Sequence, residues 1–351
     1  MVITGRSIHG GDIYKNKVKY DFSSNINSYG LPENVKKEIV RIAGEVDKYP
    51  DPYCLDLRKA ISEKKRFNID NIIASNGAGE LIYSFASLYR GKKAIIVGPT
   101  FLDYEKAFIV NEVNYSYYYL KEENGFLLSK SFLDYLKISE FDLVIINNPN
   151  NPTGLLVDQD ILIEIAKICE DKNSFLFIDE CFMDFVINNS EYSLEKYIDD
   201  FDNLFILKAF TKSYAMAGIR LGYGVCNNKN ILNRLSESTC VWNVSTIAQK
   251  CGVVAIKEKE YLDESIKYIK KERDYLITNL RDLGFICYEG NANYLFFKAF
   301  IGLDKKLLER GILIRSCANY PTLDESYYRI AVRTKKENEI LINNIKEITN
   351  G

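Results

Sequence analysis

One lysine stands out in this 351-residue chain as a group that could do covalent chemistry. It lies in Thr211-Lys212-Ser213-Tyr214-Ala215-Met216-Ala217-Gly218-Ile219-Arg220-Leu221-Gly222, a mostly apolar stretch closed by a Gly-x-Arg-x-Gly pattern. An amine beside low-dielectric walls or another cation has a lowered pKa, which makes it a usable nucleophile for a Schiff base. Arg220 can grip a phosphate with two parallel N–H bonds. Lys208 competes for the Schiff base, but Lys212 has the matching distance to Gly218 and Arg220.

Three further segments follow predicted strands, where ligands of open α/β sheets sit. Asn76-Gly77-Ala78-Gly79-Glu80 opens a helix, and its small residues let backbone N–H groups approach an anion; taken alone it is also an ordinary turn. Asn148-Pro149-Asn150-Asn151-Pro152-Thr153-Gly154 is stiffened by two prolines, which suits holding a ligand oxygen with an amide. Asp179 ends the apolar run Phe175–Ile178, where a carboxylate must be paired. A helix cap is the plain explanation; a protonated pyridine ring is the chemical one, because the acid would keep such a ring an electron sink.

The elements that must carry these groups are read from periodicity. Strands are predicted at 72–75, 94–98, 115–120, 143–147, 175–179, 204–207 and 222–226, with amphipathic helices at 80–89 and 159–171. This alternation predicts an α/β fold, a doubly wound, mostly parallel sheet buried on both faces. After Cys240 the pattern changes to one long helical region over 244–283, strands at 293–298, 312–315 and 328–332, and a last helix near 336–348. The expected organisation is an N-terminal segment 1–40 packed on a small C-terminal α+β domain 244–351, with a large domain 41–243 between them.

Composition narrows the chemistry. A net charge of -2 gives no basic field for nucleic acid. The eight cysteines form no C-x-x-C pair and His9 is the single histidine, so neither a zinc site nor a histidine-based triad is expected. Widely spaced cysteines in apolar runs read as reduced thiols of a cytoplasmic protein. The first residues lack the apolar core of a signal peptide, and no segment approaches about 18 uninterrupted apolar residues. No G-x-G-x-x-G follows the first strand, which argues against a dinucleotide-dependent dehydrogenase.

Taken together, the four strand-end segments resemble those of the fold-type I enzymes that use pyridoxal 5'-phosphate (PLP), in the histidinol-phosphate aminotransferase branch, over nearly the whole chain. Within that branch three stretches are more similar to the threonine-phosphate decarboxylases of cobalamin synthesis: His9-Gly10-Gly11 with Asp21-Phe22-Ser23-Ser24-Asn25-Ile26-Asn27; Asp179-Glu180-Cys181-Phe182-Met183-Asp184-Phe185, where the aminotransferases usually carry Tyr at the place of Phe182; and Ile312 to Pro321 with Tyr328 to Arg333.

The resemblance implies a role for each residue. Lys212 joins the cofactor as a Schiff base and Asp179 pairs with its ring nitrogen. Asn151 bonds the ring's phenolic oxygen, and Phe101 stacks on the ring beside Phe182. Gly77, Ala78, Gly79, Thr211 and Arg220 hold the cofactor phosphate, with Tyr49 reaching it from a second subunit of a homodimer. Arg315 and Arg329 bind the anionic groups of a small phosphorylated amino acid, with His9, Ser24 and Asn151 also contacting the substrate. His9 read plainly is a surface histidine, and Trp242 is either a pocket wall or simple packing. The sequence departs from the family at Ala209, where Ser or Thr usually contacts the phosphate; one lost neutral hydrogen bond is worth on the order of 1 kcal/mol. The implied reaction is decarboxylation of threonine phosphate. The rivals are transamination of histidinol phosphate and a regulatory protein without turnover, the latter disfavoured by the lack of a DNA-binding extension.

Overall fold

The buried apolar runs in the middle of the chain become one seven-stranded sheet, which the computed structural model describes together with the rest of residues 10–15 and 18–350. In chain order the strands are β1 (Tyr20–Asp21), β2 (Ile72–Ser75), β3 (Lys93–Gly98), β4 (Asn114–Tyr119), β5 (Leu143–Asn147), β6 (Phe175–Asp179), β7 (Leu204–Ala209), β8 (Gly222–Cys226), β9 (Ile286–Tyr288), β10 (Tyr294–Lys298), β11 (Ile312–Leu313), β12 (Arg315–Ser316) and β13 (Tyr327–Ala331). The large sheet has the order β2-β8-β7-β6-β5-β3-β4. Pairings from β7 to β4 are parallel, while β8 is antiparallel to both β7 and β2.

Every residue of β5, β6, β7 and β8 is buried, because helices cover both faces of the sheet. The helix Gln159–Asp171, between β5 and β6, shows how: Ile161, Leu162, Ile165, Ala166 and Cys169 recur at helical spacing and are all buried.

The strand ends converge at one edge. Asn147 and Asp179 are direct partners in the β5–β6 register, Ala209 pairs with Gly222, and Gly222 pairs with Ser75.

A second, antiparallel sheet has the order β12-β13-β10-β9. β1 pairs in parallel with β11 beside it, and the Phe22 carbonyl accepts from the Ala331 amide at 2.7 Å. The N-terminal segment then crosses to the large sheet, where Asn27 N donates to the Lys212 carbonyl and Asn27 Nδ2 to the Ser213 carbonyl.

Two expectations for the C-terminal third need correction. The helical region 244–283 is two helices, Thr246–Ala255 and Lys259–Asp282. The first packs on the helix Glu33–Ile42, and a Cβ on its Gly252 would lie 2.5 Å from Leu221. The second packs on β10 and on the C-terminal helix Lys335–Asn350. One straight helix cannot serve both partners, so the chain turns at Ile256–Glu258. The strand expected at 312–315 is likewise two, β11 and β12, which pair with β1 and β13 on either side of buried Ile314. The short strand β9 is a further element absent from the sequence expectation, although Phe285-Ile286-Cys287-Tyr288 is an apolar run between Gly284 and Gly290.

Candidate active site

A cavity of about 660 Å³ opens where the large sheet's strand ends meet β12 and β13. Lys212 enters it from the short helix Phe210–Ser213, which follows β7 directly. Burial, and next the positive charge of Arg329, bring the Lys212 amine down to about 8. That is the state a nucleophilic amine requires. Its Nζ lies 5.9 Å from the centre of the Phe182 ring.

Lys208 points away from the side of β7 where its neighbour Ala209 lines the cavity, as the two-residue period of a strand dictates. It is almost wholly buried, and its Nζ bonds Glu195 Oε1 at 2.6 Å and Glu180 Oε2 at 3.1 Å. Its ammonium is held well above the usual range by Glu195, Glu180 and Asp184 against the opposing pull of burial. The competing lysine is thus committed to an ion-pair cluster, and the reactive amine is left to Lys212.

Asp179 is 4 % exposed and lines the cavity. Its Oδ2 accepts from the Tyr104 hydroxyl at 2.5 Å and its Oδ1 from the Cys181 amide at 2.9 Å. Burial pushes the carboxyl above its ordinary value, and these hydrogen bonds pull it back only in part. A cationic N–H arriving from the cavity would supply the partner that the buried acid favours.

The small-residue turn and Arg220 form a cradle. Gly77 has φ +76°, and a Cβ on it would stand 2.5 Å from Arg220 Nη2. A Cβ on Gly222 would stand 2.6 Å from the Ala78 amide nitrogen. The helix Ala78–Ser87 starts here and directs its first N–H groups at this end of the cavity, whose wall includes Ala78, Gly79, Thr211 and Ala209.

Asn147, absent from the sequence expectation, fixes the proline-rich loop: its Nδ2 donates to the Asp179 carbonyl and its Oδ1 accepts from the Asn151 amide. Asn151 Oδ1 in turn accepts from Arg329 Nη1, which leaves Nδ2 as the donating half of that side chain. Arg329 Nη2 donates to the Ser23 carbonyl at 2.7 Å. Arg315 Nη2 donates to Asn319 Oδ1, and its guanidinium lies 5.6 Å from the Tyr320 ring centre. Arg315 and Arg329 are direct cross-strand partners, 7 % and 5 % exposed. Like charges so placed repel each other, and an anion between them relieves it.

Phe101 and Ser24 also line the cavity, Ser24 with its hydroxyl donating to Asp21 Oδ2. Asp21, Ser23, Asn25 and Tyr320 are wall residues that the sequence reading did not select. The motif around Ser24 carried three of them, and only their packing distinguishes wall from core. Tyr49 and Trp242 are not brought to this cavity: they stack on each other, 4.2 Å between centres, and are 77 % and 45 % exposed. The pocket-wall reading of Trp242 therefore fails within one chain, because its ring spends its apolar face on Tyr49. His9 lies outside the described residues.

Residues 17–345 match the aminotransferase class I and II family, and the chain belongs to it. It is similar to the threonine-phosphate decarboxylase of Salmonella typhimurium, 32% identical over 98% of this chain and 97% of that one. It is 31% identical to the adenosylcobalamin biosynthesis bifunctional protein CobDQ of Leptospira interrogans over 98% of this chain and 41% of that longer protein. Among solved structures, the histidinol-phosphate aminotransferase from Clostridium acetobutylicum superposes with a TM-score of 0.89 at 33% identity, over 94% of this chain and 99% of that one.

Proposed function

We propose that the protein is a PLP-dependent lyase that decarboxylates L-threonine O-3-phosphate to (R)-1-aminopropan-2-yl phosphate and CO2, in cobalamin synthesis. The observation that carries this reading is the buried, opposed pair Arg315 and Arg329 in the wall of a cavity that holds a low-pKa lysine. Threonine phosphate offers two anionic groups on one small skeleton, a carboxylate and a phosphate. The likeness to the Salmonella and Leptospira proteins supports the same reading.

The residues present fit PLP. Lys212 would carry it, Asp179 would meet the ring nitrogen, Asn151 Nδ2 the phenolic oxygen, and Phe101 and Phe182 the ring. The first N–H groups of the helix Ala78–Ser87, with Thr211 and Arg220, would hold its phosphate, and the glycines at 77 and 222 leave the space that side chains would fill. Bound there, the cofactor supplies an electron sink for the bond broken at Cα.

The chain supplies the rest. Arg315 and Arg329 fix the substrate's anions and so choose which Cα bond stands perpendicular to the ring. With cofactor and substrate in the cavity, Lys212 Nζ would be the amine placed to hold or return a proton at Cα. Phe182 offers no hydroxyl beside Lys212, and this separates the site from one built around a tyrosine at that position.

The division into 41–243 and 244–351 is part of the proposal, with the N-terminal segment reaching the smaller part through β1 and the larger through Asn27. Tyr49 and Trp242, exposed together, are assigned to a homodimer in which Tyr49 reaches the partner's site. No helix among the described residues is long and apolar enough to cross a membrane, and a cytoplasmic place of action is part of the proposal.

A second reading, transamination of the histidinol-phosphate type, is favoured by the likeness to the Clostridium acetobutylicum enzyme. One experiment separates the two. The PLP-loaded protein is incubated with threonine phosphate, and CO2 is measured with and without 2-oxoglutarate. Release of CO2 without the keto acid is expected. No CO2, together with glutamate formed from histidinol phosphate and 2-oxoglutarate, overturns the decarboxylase reading.

A further inference from the structure

Tyr104 contributes no atom to the cavity wall, yet its hydroxyl is committed to a group that does. It sits in the helix Asp103–Val110, which follows β3, and its ring is fully buried. The ring meets Phe101 edge to face, 5.8 Å between centres and 84° between planes. The hydroxyl donates to Asp179 Oδ2 at 2.5 Å, while the Cys181 amide takes Oδ1. Asp179 is therefore gripped at both oxygens by donors that lie behind it.

Those two bonds have separate effects. They stop the carboxylate from rotating about Cβ–Cγ, which fixes the direction of its remaining lone pairs toward the cavity. They also stabilise the charged form of an acid that burial would otherwise protonate. The Cys181 donor is a main-chain amide, so Tyr104→Phe removes one donor to Asp179 and leaves that backbone donor in place.

We propose that Tyr104 is a positioning residue that keeps Asp179 ionised and so keeps the proton on the cofactor's ring nitrogen. Without the hydroxyl, Asp179 is the stronger base. The proton moves from the ring nitrogen to a carboxylate oxygen, and the ring loses positive charge. Electron withdrawal from the Lys212 Schiff base then weakens, and the pH at which that Schiff base loses its proton rises. The other titratable groups near this pair are the Cys181 thiol, whose side chain also hydrogen-bonds Asp179, the ammonium of Lys208, Lys212 and the Tyr294 hydroxyl; Tyr104 supplies the bond to Asp179 Oδ2.

The inference rests on the reading of Asp179 as the ring nitrogen's partner, and the test keeps the two apart. The holoenzyme is loaded with PLP labelled with 15N in the ring. The ring-nitrogen chemical shift and the absorbance titration of the Schiff base are recorded for the native protein and for Tyr104→Phe. A protonated ring nitrogen is expected in the native protein. In Tyr104→Phe the shift should move toward the neutral ring, and the titration midpoint should rise by roughly half a unit or more.

A neutral ring nitrogen in the native protein overturns the reading of Asp179, and Tyr104 with it. A protonated nitrogen that stays unmoved in Tyr104→Phe, with an unchanged midpoint, overturns the role of Tyr104 alone. Site-specific 3-fluorotyrosine at position 104 keeps the ring and strengthens the donor, so it tests the same idea if the phenylalanine variant does not fold. It should move the midpoint the opposite way, and no movement overturns the proposal.

Discussion

Arg315 and Arg329 face each other across the antiparallel pair β12 and β13, both buried and both turned into the cavity that Lys212 enters. The repulsion between them is tolerable in a protein whose substrate is an anion, and it makes the two residues separable by experiment. Arg329→Met removes the donor to Asn151 and Ser23 as well as a substrate contact. Steady-state kinetics should show kcat/KM lower by roughly a hundredfold or more, the range for truncating a buried charged partner. The same assay on Arg315→Met should also lose activity, while its ligand-free thermal unfolding changes little, since relief of the like-charge contact offsets lost packing.

The two lysines on either side of Ala209 should fail differently. Lys212→Ala is expected to abolish the adduct trapped by borohydride, with the fold retained. Lys208→Met should keep that adduct and lose stability by about 3–5 kcal/mol, because buried Glu180 loses its cation while Glu195 is left with Lys65. An adduct persisting in Lys212→Ala would return the Schiff base to Lys208.

The depressed pKa of Lys212 sets a pH dependence with a definite sign. In the unfolded chain its amine titrates near its ordinary value of 10.5, and in the ligand-free fold at about 8. Between those values the unfolded chain binds more protons, so this group's contribution to stability rises with pH. At neutral pH the buried ammonium destabilises the ligand-free protein. Lys212→Met should therefore be more stable than the native protein at pH 7, by roughly 2 kcal/mol in denaturant unfolding. The difference should shrink through the window from 8 to 10.5. An advantage independent of pH would mean that the methionine acts through packing alone.

Gly77→Ala asks for a side chain at φ +76° and at 2.5 Å from the Arg220 guanidinium. Arg220 must move, and with it the phosphate cradle. The PLP dissociation constant, followed by absorbance titration, should rise by roughly tenfold or more, as expected for one lost charge-assisted contact. Addition of free phosphate should compete with PLP in the native protein and less so in the variant.

The large sheet was legible because its strands are buried on both faces and so read as unbroken apolar runs: 72–75, 143–147, 175–179 and 222–226 fall at the bounds the pattern predicts. The wall of the site was legible where a residue type is costly without a purpose. Asp179 ends an apolar strand, Lys212 sits in an apolar stretch, and small residues precede a helix. The C-terminal third read less well. The break at Ile256–Glu258 and the sheet change at Ile314 depend on which distant surface each segment meets, and a periodicity of a few residues carries no record of that.

The chain by itself determined the kinds of group available: a nucleophilic lysine, an acid for a ring nitrogen, an amide, a phosphate turn and two arginines, spaced as an α/β sheet would deliver them. Only the tertiary structure decided what surrounds each one. Strand alternation sent Lys208 into a cluster of carboxylates, and the helical turn after β7 carried Lys212 into the cavity, where burial and then Arg329, distant in sequence, lower its pKa. Register set Arg315 against Arg329, and packing gave Asp179 the Tyr104 hydroxyl. Local residue types fix what a side chain can do; burial and long-range neighbours fix its charge and its partner, and those are set only when the chain is folded.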